Sequence, residues 1–243
     1  MIYQRFESIA TTQSLFFNLS FYAPIAKLKE IRCLVIRMSP NKLQYELCAQ
    51  SILGNLDTVD SLFHAGAEPF DRVGGCGALC YAAFYDHQNI VLKIVCFWSS
   101  YTTDLTIYQE PNVAEMIDLA LFLAQMKKNQ FIANYLKDIH THICKSQTFC
   151  TQKKLNFDLV LQCGLGDIMA VKRLLNDGAD PCYQHGIPLM FAISNRHDCV
   201  VSCLMKHDVY HANQSIFEMA LHLANRLHND RLCFYIENII KNQ

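Results

Sequence analysis

Residues 42–69 read KLQYELCAQSILGNLDTVDSLFHAGAEP, and residues 154–181 read KLNFDLVLQCGLGDIMAVKRLLNDGADP. The two stretches align without a gap at an offset of 112 residues, and eleven of their positions are identical. Most of the other positions keep their chemical character, as Tyr45 and Phe157 do. A chain that repeats itself is usually a stack of small units that cannot bury their apolar faces alone. The duplication therefore favours a binding scaffold over an active-site pocket.

The duplication continues beyond these two stretches after short deletions. The matching blocks are 79–82 with 189–192, 87–91 with 197–201, 118–124 with 218–224, and 132–139 with 232–239. The deletions fall between helical blocks, where loops are expected. The predicted divisions are an N-terminal cap or extra element (1–41), a first half (42–141), a linker (142–153) and a second half (154–243).

Each half splits further into three units, each with an apolar helix, a short break and a second helix. The predicted breaks are Gly54-Asn55, Asp86-His87, Lys128-Asn129, Gly166-Asp167, Arg196-His197 and His228-Asn229. Three of the five spacings between successive breaks lie close to 33 residues, the period of ankyrin repeats. The sequence thus predicts an all-α protein of about six helix pairs.

Two sets of motifs resemble the ankyrin-repeat family. Pro188-Leu189-Met190-Phe191-Ala192 is followed at the family's distance by Arg196-His197 and Val200-Val201. The endings Gly66-Ala67-Glu68-Pro69 and Gly178-Ala179-Asp180-Pro181 complete the pattern. The resemblance covers about 42–240 and implies an ankyrin-like helical-repeat solenoid that binds proteins. The degenerate repeats and many cysteines are similar to those of the drifted ankyrin proteins of large DNA viruses and intracellular bacteria, which act on host proteins.

Several single residues carry expectations of their own. Gly66 and Gly178 follow apolar helices, where the left-handed conformation costs glycine least. Gln50, matched by Gln162, replaces the family's small alanine between stacked helices and needs a hydrogen-bond partner if buried. His87, matched by His197 at the family's Gly-His position, is predicted to donate a hydrogen bond between repeats rather than to act in catalysis.

The composition bounds the function. The chain is 51% hydrophobic, but no apolar run is long enough to cross a membrane. Its net charge of −1 argues against nucleic acid as a partner, unless a local patch escapes that argument. The twelve cysteines are scattered over apolar helical positions, as in a reducing compartment. We expect a monomeric protein of the cytoplasm, including the cytoplasm of a host, with a protein as its partner.

No residue pattern predicts catalysis, a metal or a cofactor. One candidate metal stripe would span about 18 Å along a helix, too far for its ligands to meet at one ion; its members are Cys199, Cys203, His207 and His211. The linker could fold its ligands together more easily; they are His140, His142, Cys144 and Cys150. There the alternative is a polar helix end with incidental cysteines. A cysteine-dependent transferase or hydrolase on a helical-repeat scaffold stays the alternative function, although no nucleophile motif is present.

The partner-binding hypothesis therefore concerns surface side chains. Aromatic and arginine residues are the usual anchors of interfaces. Two fingers are predicted after the Gly-Ala-acid-Pro endings, and an insertion follows the fourth predicted helix. The candidate residues are Phe70 and Arg72 on the first finger, Tyr183 and His185 on the second, and Trp98, Tyr101 and Tyr108 at the insertion. For Trp98, packing at the end of the helix is the alternative.

Overall fold

The computed structural model describes residues 40–69, 77–101, 111–143, 151–207 and 213–241. These residues contain twelve helices and no strand, which confirms the all-α prediction for the described part of the chain. The first half contains α1 (Pro40–Leu53), α2 (Leu56–His64), α3 (Gly77–Phe84), α4 (Gln88–Tyr101), α5 (Pro111–Met126) and α6 (Gln130–Ile143). The second half contains α7 (Thr151–Leu165), α8 (Ile168–Asn176), α9 (Tyr183–Ser194), α10 (Asp198–Leu204), α11 (Gln214–Arg226) and α12 (Asp230–Lys241).

All six predicted breaks are present, and they share one geometry. Each turn contains a left-handed residue with φ between 51° and 80°: Gly54, Asp86, Lys128, Gly166, Arg196 and His228. In every turn the next backbone N–H donates to the carbonyl oxygen five residues earlier, at 2.8–3.2 Å. This is the Schellman ending, which satisfies carbonyl groups that a helix terminus leaves unpaired. The six helix pairs are therefore built on one local design.

The endings of α2 and α8 confirm the roles predicted for two glycines. Gly66 has φ 95° and Gly178 has φ 94°. The following residues, Ala67 and Ala179, each donate a backbone hydrogen bond of 2.9 Å to the last turn of the helix. A residue with a Cβ is strained in this conformation, so glycine ends both helices at low cost.

The first helix of each pair belongs to an inner layer and the second to an outer layer. Every residue of α3 is buried, as expected for an inner helix that is apolar all round. The inner helices contact one another in the order α1, α3, α5, α7, α9 and α11, and α11 also contacts α1. In a linear stack of repeats each unit contacts only its neighbours. Here the contact between α1 and α11 closes the inner layer into a ring.

The turns between first and second helices lie next to one another at one end of the ring. The His87 Nε2–H donates to the Ile52 carbonyl at 2.9 Å, and the His197 Nε2–H donates to the Gly164 carbonyl at 3.2 Å. These bonds confirm the predicted hydrogen-bond donors between helix pairs. Asn129 makes the matching bond from the third pair, with Nδ2 2.7 Å from the carbonyl oxygen of Ala83. We call this end the turn end, and the opposite end the loop end.

Two inner helices also meet across the centre of the ring. α3 contacts α9, and the ring of Tyr81 lies 4.8 Å from that of Phe191. These two residues are matched positions of the two halves, at an offset of 110. The Tyr85 hydroxyl donates to Ser194 at 2.8 Å in the same place. A residue that contacts its own duplicate lies on a pseudo-two-fold axis.

Candidate functional site

The structure describes only some of the predicted partner-binding residues. Phe70, Arg72 and Tyr108 lie outside the described residues. Trp98 and Tyr101 belong to the last turn of α4, where the structure describes the backbone. The hypothesis for these five residues stays a prediction.

Tyr183 and His185 lie in the first turn of α9, in different environments. His185 is exposed, but only 5% of Tyr183 is exposed. The Tyr183 hydroxyl donates to a Glu115 oxygen at 2.7 Å. Burial, this hydrogen bond and the charge of Glu115 raise the pKa of Tyr183. Gln184, His185 and Gly186 all have positive φ, so the chain forms a left-handed turn that the Tyr183 phenol holds against α5.

Five large apolar side chains are exposed at the turn end. They stand either at the last residue of a first helix or at the second residue of the helix that follows. They are Leu53 (42% exposed), Met126 (53%), Phe131 (46%), Leu165 (52%) and Met169 (72%). An exposed cluster of large apolar residues is a frequent mark of an interaction site.

Four of these five residues flank the contact between α5 and α7, which we call the first seam. Asp118 and Phe122 of α5 contact Lys153 and Phe157 of α7, and the two aromatic rings lie 5.5 Å apart. Both pairs are separated by 35 residues, so the helices run parallel and their C-termini lie at the turn end. We define the first-seam patch as Met126, Phe131, Leu165 and Met169.

The contact between α1 and α11 is the matching seam of the duplicated chain, which we call the second seam. It carries a different surface at the positions matched to the patch. Arg226 matches Met126, and Arg231 matches Phe131. Leu53 matches Leu165, and Asp57 matches Met169. Three of the four positions are therefore charged at the second seam and apolar at the first. Since one repeat design serves both seams, folding alone does not require the exposed apolar residues.

The two turn segments that contain the first-seam patch, 125–131 and 165–173, also contain exposed basic side chains. We define the basic rim as Lys127, Lys128, Lys172 and Arg173, all of which are exposed. Lys127 lies in the turn with its Nζ 4.5 Å from the centre of the Phe84 ring, and Lys128 is the left-handed residue of that turn. Asp167 is the one acid in these two turn segments, and it caps α8 by accepting from two backbone N–H groups.

A buried acid joins the two halves at the second seam. Only 2% of Glu46 is exposed, and its carboxylate accepts from His222 at 2.7 Å and from Arg226 at 2.7 and 2.8 Å. Burial raises the pKa of Glu46, but hydrogen bonds from His222 and Gln50 and the charge of Arg226 outweigh burial and lower it. Gln50 donates to Glu46 at 2.7 Å and accepts from Asn55 at 2.6 Å. The predicted need of a buried Gln50 for partners is thus met.

The first seam has its own buried acid. Asp118 of α5 is 7% exposed and forms an ion pair with Lys153 of α7 and another, at 2.6 Å, with His140 of α6. A buried ion pair is weak evidence for stability, because the loss of solvation offsets much of the attraction. Each seam thus holds one buried carboxylate that links the halves, with different partners.

The described cysteines offer no activated thiol among those with a shifted pKa. Burial raises the pKa of Cys96, Cys163 and Cys233, and it raises that of Cys182 to about 11. A nucleophilic cysteine needs a lowered pKa, because the thiolate is the reactive form. These four thiols therefore do not favour the cysteine-dependent alternative.

Two further features concern ligands and membranes. No group of three or more His, Cys, Asp or Glu side chains in the described part of the chain is arranged to hold a metal ion. Within those same residues, no helix has the length and hydropathy needed to cross a membrane. Comparison with protein-family models gave no match, and comparison with curated proteins gave none either.

The first-seam patch was not among the predicted site residues, although the sequence contains a signal for it. The duplication itself is visible at positions that agree between the halves. The patch lies where they disagree: Met126 against Arg226, Phe131 against Arg231 and Met169 against Asp57. Phe131 and Met169 replace exposed charges of the other copy, which indicates a role specific to one copy, whereas Met126 replaces Arg226, the partner of Glu46.

Proposed function

We propose that this protein is a non-catalytic protein-binding module of the cytoplasm, built on degenerate ankyrin-like helix pairs, and that it binds its partner with the first-seam patch. The main support for this proposal is the difference in surface residues between the two seams. At matched positions, the first seam exposes Met126, Phe131 and Met169, whereas the second carries Arg226, Arg231 and Asp57.

The composition of the patch supports binding to a protein surface. Methionine is flexible and polarisable, so it adapts to partners of irregular shape. Phe131 supplies a large ring that is 46% exposed and can be covered by a partner. Aromatic residues are enriched at the centres of protein interfaces, where a few side chains carry most of the affinity. Leu165 extends the apolar surface onto α7.

The test replaces three residues of the first-seam patch by the residues at the matched positions of the second seam. In the variant Met126→Arg, Phe131→Arg and Met169→Asp, each new residue is the one that the same fold carries at the matched position. The tagged wild-type chain and the variant are used to capture proteins from a eukaryotic cell extract. We expect the captured partner to be lost from the variant, because each anchor removed from an interface costs about 2 kcal/mol.

The matched control is Phe234→Asn. Phe234 is 68% exposed on α12, outside the first-seam patch, and its matched position in α6 is Asn134. We expect this variant to capture the same proteins as the wild type, and circular dichroism to show equal helix content in all three chains. Capture that survives the three-residue change would contradict the proposal.

A further inference from the structure

We infer that the protein segment bound at the first-seam patch is acidic and carries apolar side chains. This inference rests on the proposed function and specifies the chemistry of the partner. Two properties of the patch carry it: an apolar centre contributed by four helices, and a rim of four cations on both sides of the seam.

The positive charge is concentrated locally. The turn segments 125–131 and 165–173 together have a net charge of +3, although the whole chain has a net charge of −1. The matched segments 225–231 and 53–61 together have a net charge of −1, from Arg226, Arg231, Asp57, Asp60 and Asp230. The two seams therefore differ in the charge of the rim as well as in the exposed apolar residues of the centre.

Two of the cations share a helix face with an apolar residue of the patch. Met169, Lys172 and Arg173 have the spacing i, i+3 and i+4, which puts them on one face of α8. Lys127 and Lys128 stand between Met126 and Phe131 in the chain. A ligand that covers Met169 thus lies next to Lys172 and Arg173, and the turn after Met126 adds two further exposed lysines close in the chain.

The fold does not require these cations. At the positions matched to Lys172 and Arg173, the second seam has Asp60 and Ser61, and Asp60 forms an ion pair with Lys93. The matches of Lys127 and Lys128 are Leu227 and His228. None of the four matched positions of the second seam thus holds a lysine or an arginine.

Other anionic ligands fit the patch less well. Single-stranded nucleic acid stacks its bases on several aromatic side chains, but Phe131 is the one aromatic residue of this patch. Membrane binding by an amphipathic helix that lies flat on the surface places the apolar residues on one helix, whereas the four apolar residues here come from α5, α6, α7 and α8. Interfaces between proteins combine an apolar centre with a polar rim, as this patch does.

The test uses three labelled amphipathic peptides with identical leucine and phenylalanine positions. Their polar positions are all Glu, all Gln or all Lys. Binding to the full-length chain is measured by fluorescence anisotropy. We expect the Glu peptide to bind about tenfold more tightly than the Gln peptide at low salt. The advantage disappears as the ionic strength rises from about 0.05 to 0.5 M, because salt screens exposed charges.

Two variants with equal changes of net charge test whether the preference for the Glu peptide arises at the basic rim. Lys172→Asp with Arg173→Ser places the second-seam residues on the rim, and we expect it to remove the tenfold advantage of the Glu peptide while leaving the Gln peptide unaffected. Lys154→Asp with Lys241→Ser makes the same change of net charge on exposed residues near the loop end. We expect this control to keep the preference for the Glu peptide.

Several outcomes would overturn the inference. One is equal affinity of the Glu and Gln peptides, or no binding of any of the three. Another is binding to anionic phospholipid vesicles or to an oligonucleotide that the rim variant abolishes. A third is a dimer of the chain that Met169→Asp converts to monomers, because a second copy would then occupy the patch. The proposed function fails separately, when the three-residue patch variant still captures the partner.

Discussion

At the scale of single residues, the turn end depends on a glycine packed against a histidine. Gly54 has φ 78°, and a Cβ placed on it would lie 2.7 Å from the His87 ring. Gly166 repeats this arrangement with His197, at 2.5 Å. Glycine is needed at these positions for two reasons. It adopts the left-handed conformation at low cost, and its lack of a side chain leaves the space that the histidine ring fills. The ring in turn donates the hydrogen bond that links two helix pairs.

The variant Gly54→Ala tests this packing against a matched glycine. Gly66 has φ 95° and nothing within 4 Å of a Cβ, so Gly66→Ala reports the strain of a positive φ alone. We expect Gly66→Ala to lower the free energy of unfolding by about 1 kcal/mol, and Gly54→Ala to lower it by a further 1 to 3 kcal/mol, the usual cost of overpacking. Urea denaturation measures both. Equal losses would show that the histidine ring moves aside without cost.

At the scale of elements, the second seam joins α1 to α11 through the buried carboxylate of Glu46. Its pKa in the folded protein is lowered from the ordinary value of 4.5. A lowered pKa means that ionised Glu46 stabilises the fold above the pKa of the unfolded chain. That contribution is lost as the pH falls through the lower pKa of the folded chain.

Glu46→Gln is expected to cost about 3 kcal/mol at pH 7, since removing one partner breaks a buried ion pair. The difference from the wild type should stay constant down to about pH 5 and shrink below it, because the wild-type carboxylate then also becomes neutral. Urea denaturation between neutral pH and about pH 3 checks this dependence. Glu218→Gln, an exposed change on α11, serves as the control. A difference that grows as the pH falls would contradict the sign of the pKa shift.

The elements also show how far the sequence could predict the structure. The six breaks were predictable because the residues that end a helix, such as Gly54 and Asp86 with the polar residue that follows, act locally and recur at regular spacing. The contact of α1 with α11 was not predictable, because a repeat pattern relates neighbours and contains no signal for closure. The buried position of Tyr183 was missed for a related reason: its partner Glu115 lies 68 residues away, in the other half.

At the scale of the whole molecule, ring closure changes how a local defect spreads. In a linear stack, the first and sixth helix pairs do not contact each other, and stability is a sum of terms between neighbours. Here α1 contacts α3 and α11, and α3 also contacts α9 across the centre. The two halves are therefore expected to unfold as one cooperative unit.

Hydrogen exchange measured by mass spectrometry tests this expectation. In Glu46→Gln, we expect faster exchange in peptides from 214–226 as well as in those from 40–53, because the change loosens both helices of the second seam. Peptides from 168–176 in α8, away from that seam, should also exchange faster, because the two halves are expected to open as one unit. Faster exchange confined to 40–64 and 77–84 would show that the contact between α1 and α11 contributes nothing to stability.

The contact of Tyr81 with its own duplicate, Phe191, has a further consequence. Two identical half-length chains meeting at this axis would form a symmetric dimer, and any substitution would then appear at both seams at once. A single chain holds its halves together at an effective concentration in the millimolar range, whatever the amount of protein in the cell. The covalent connection thus makes each seam independently variable, so that one can keep Arg226 and Asp57 while the other acquires Met126 and Met169.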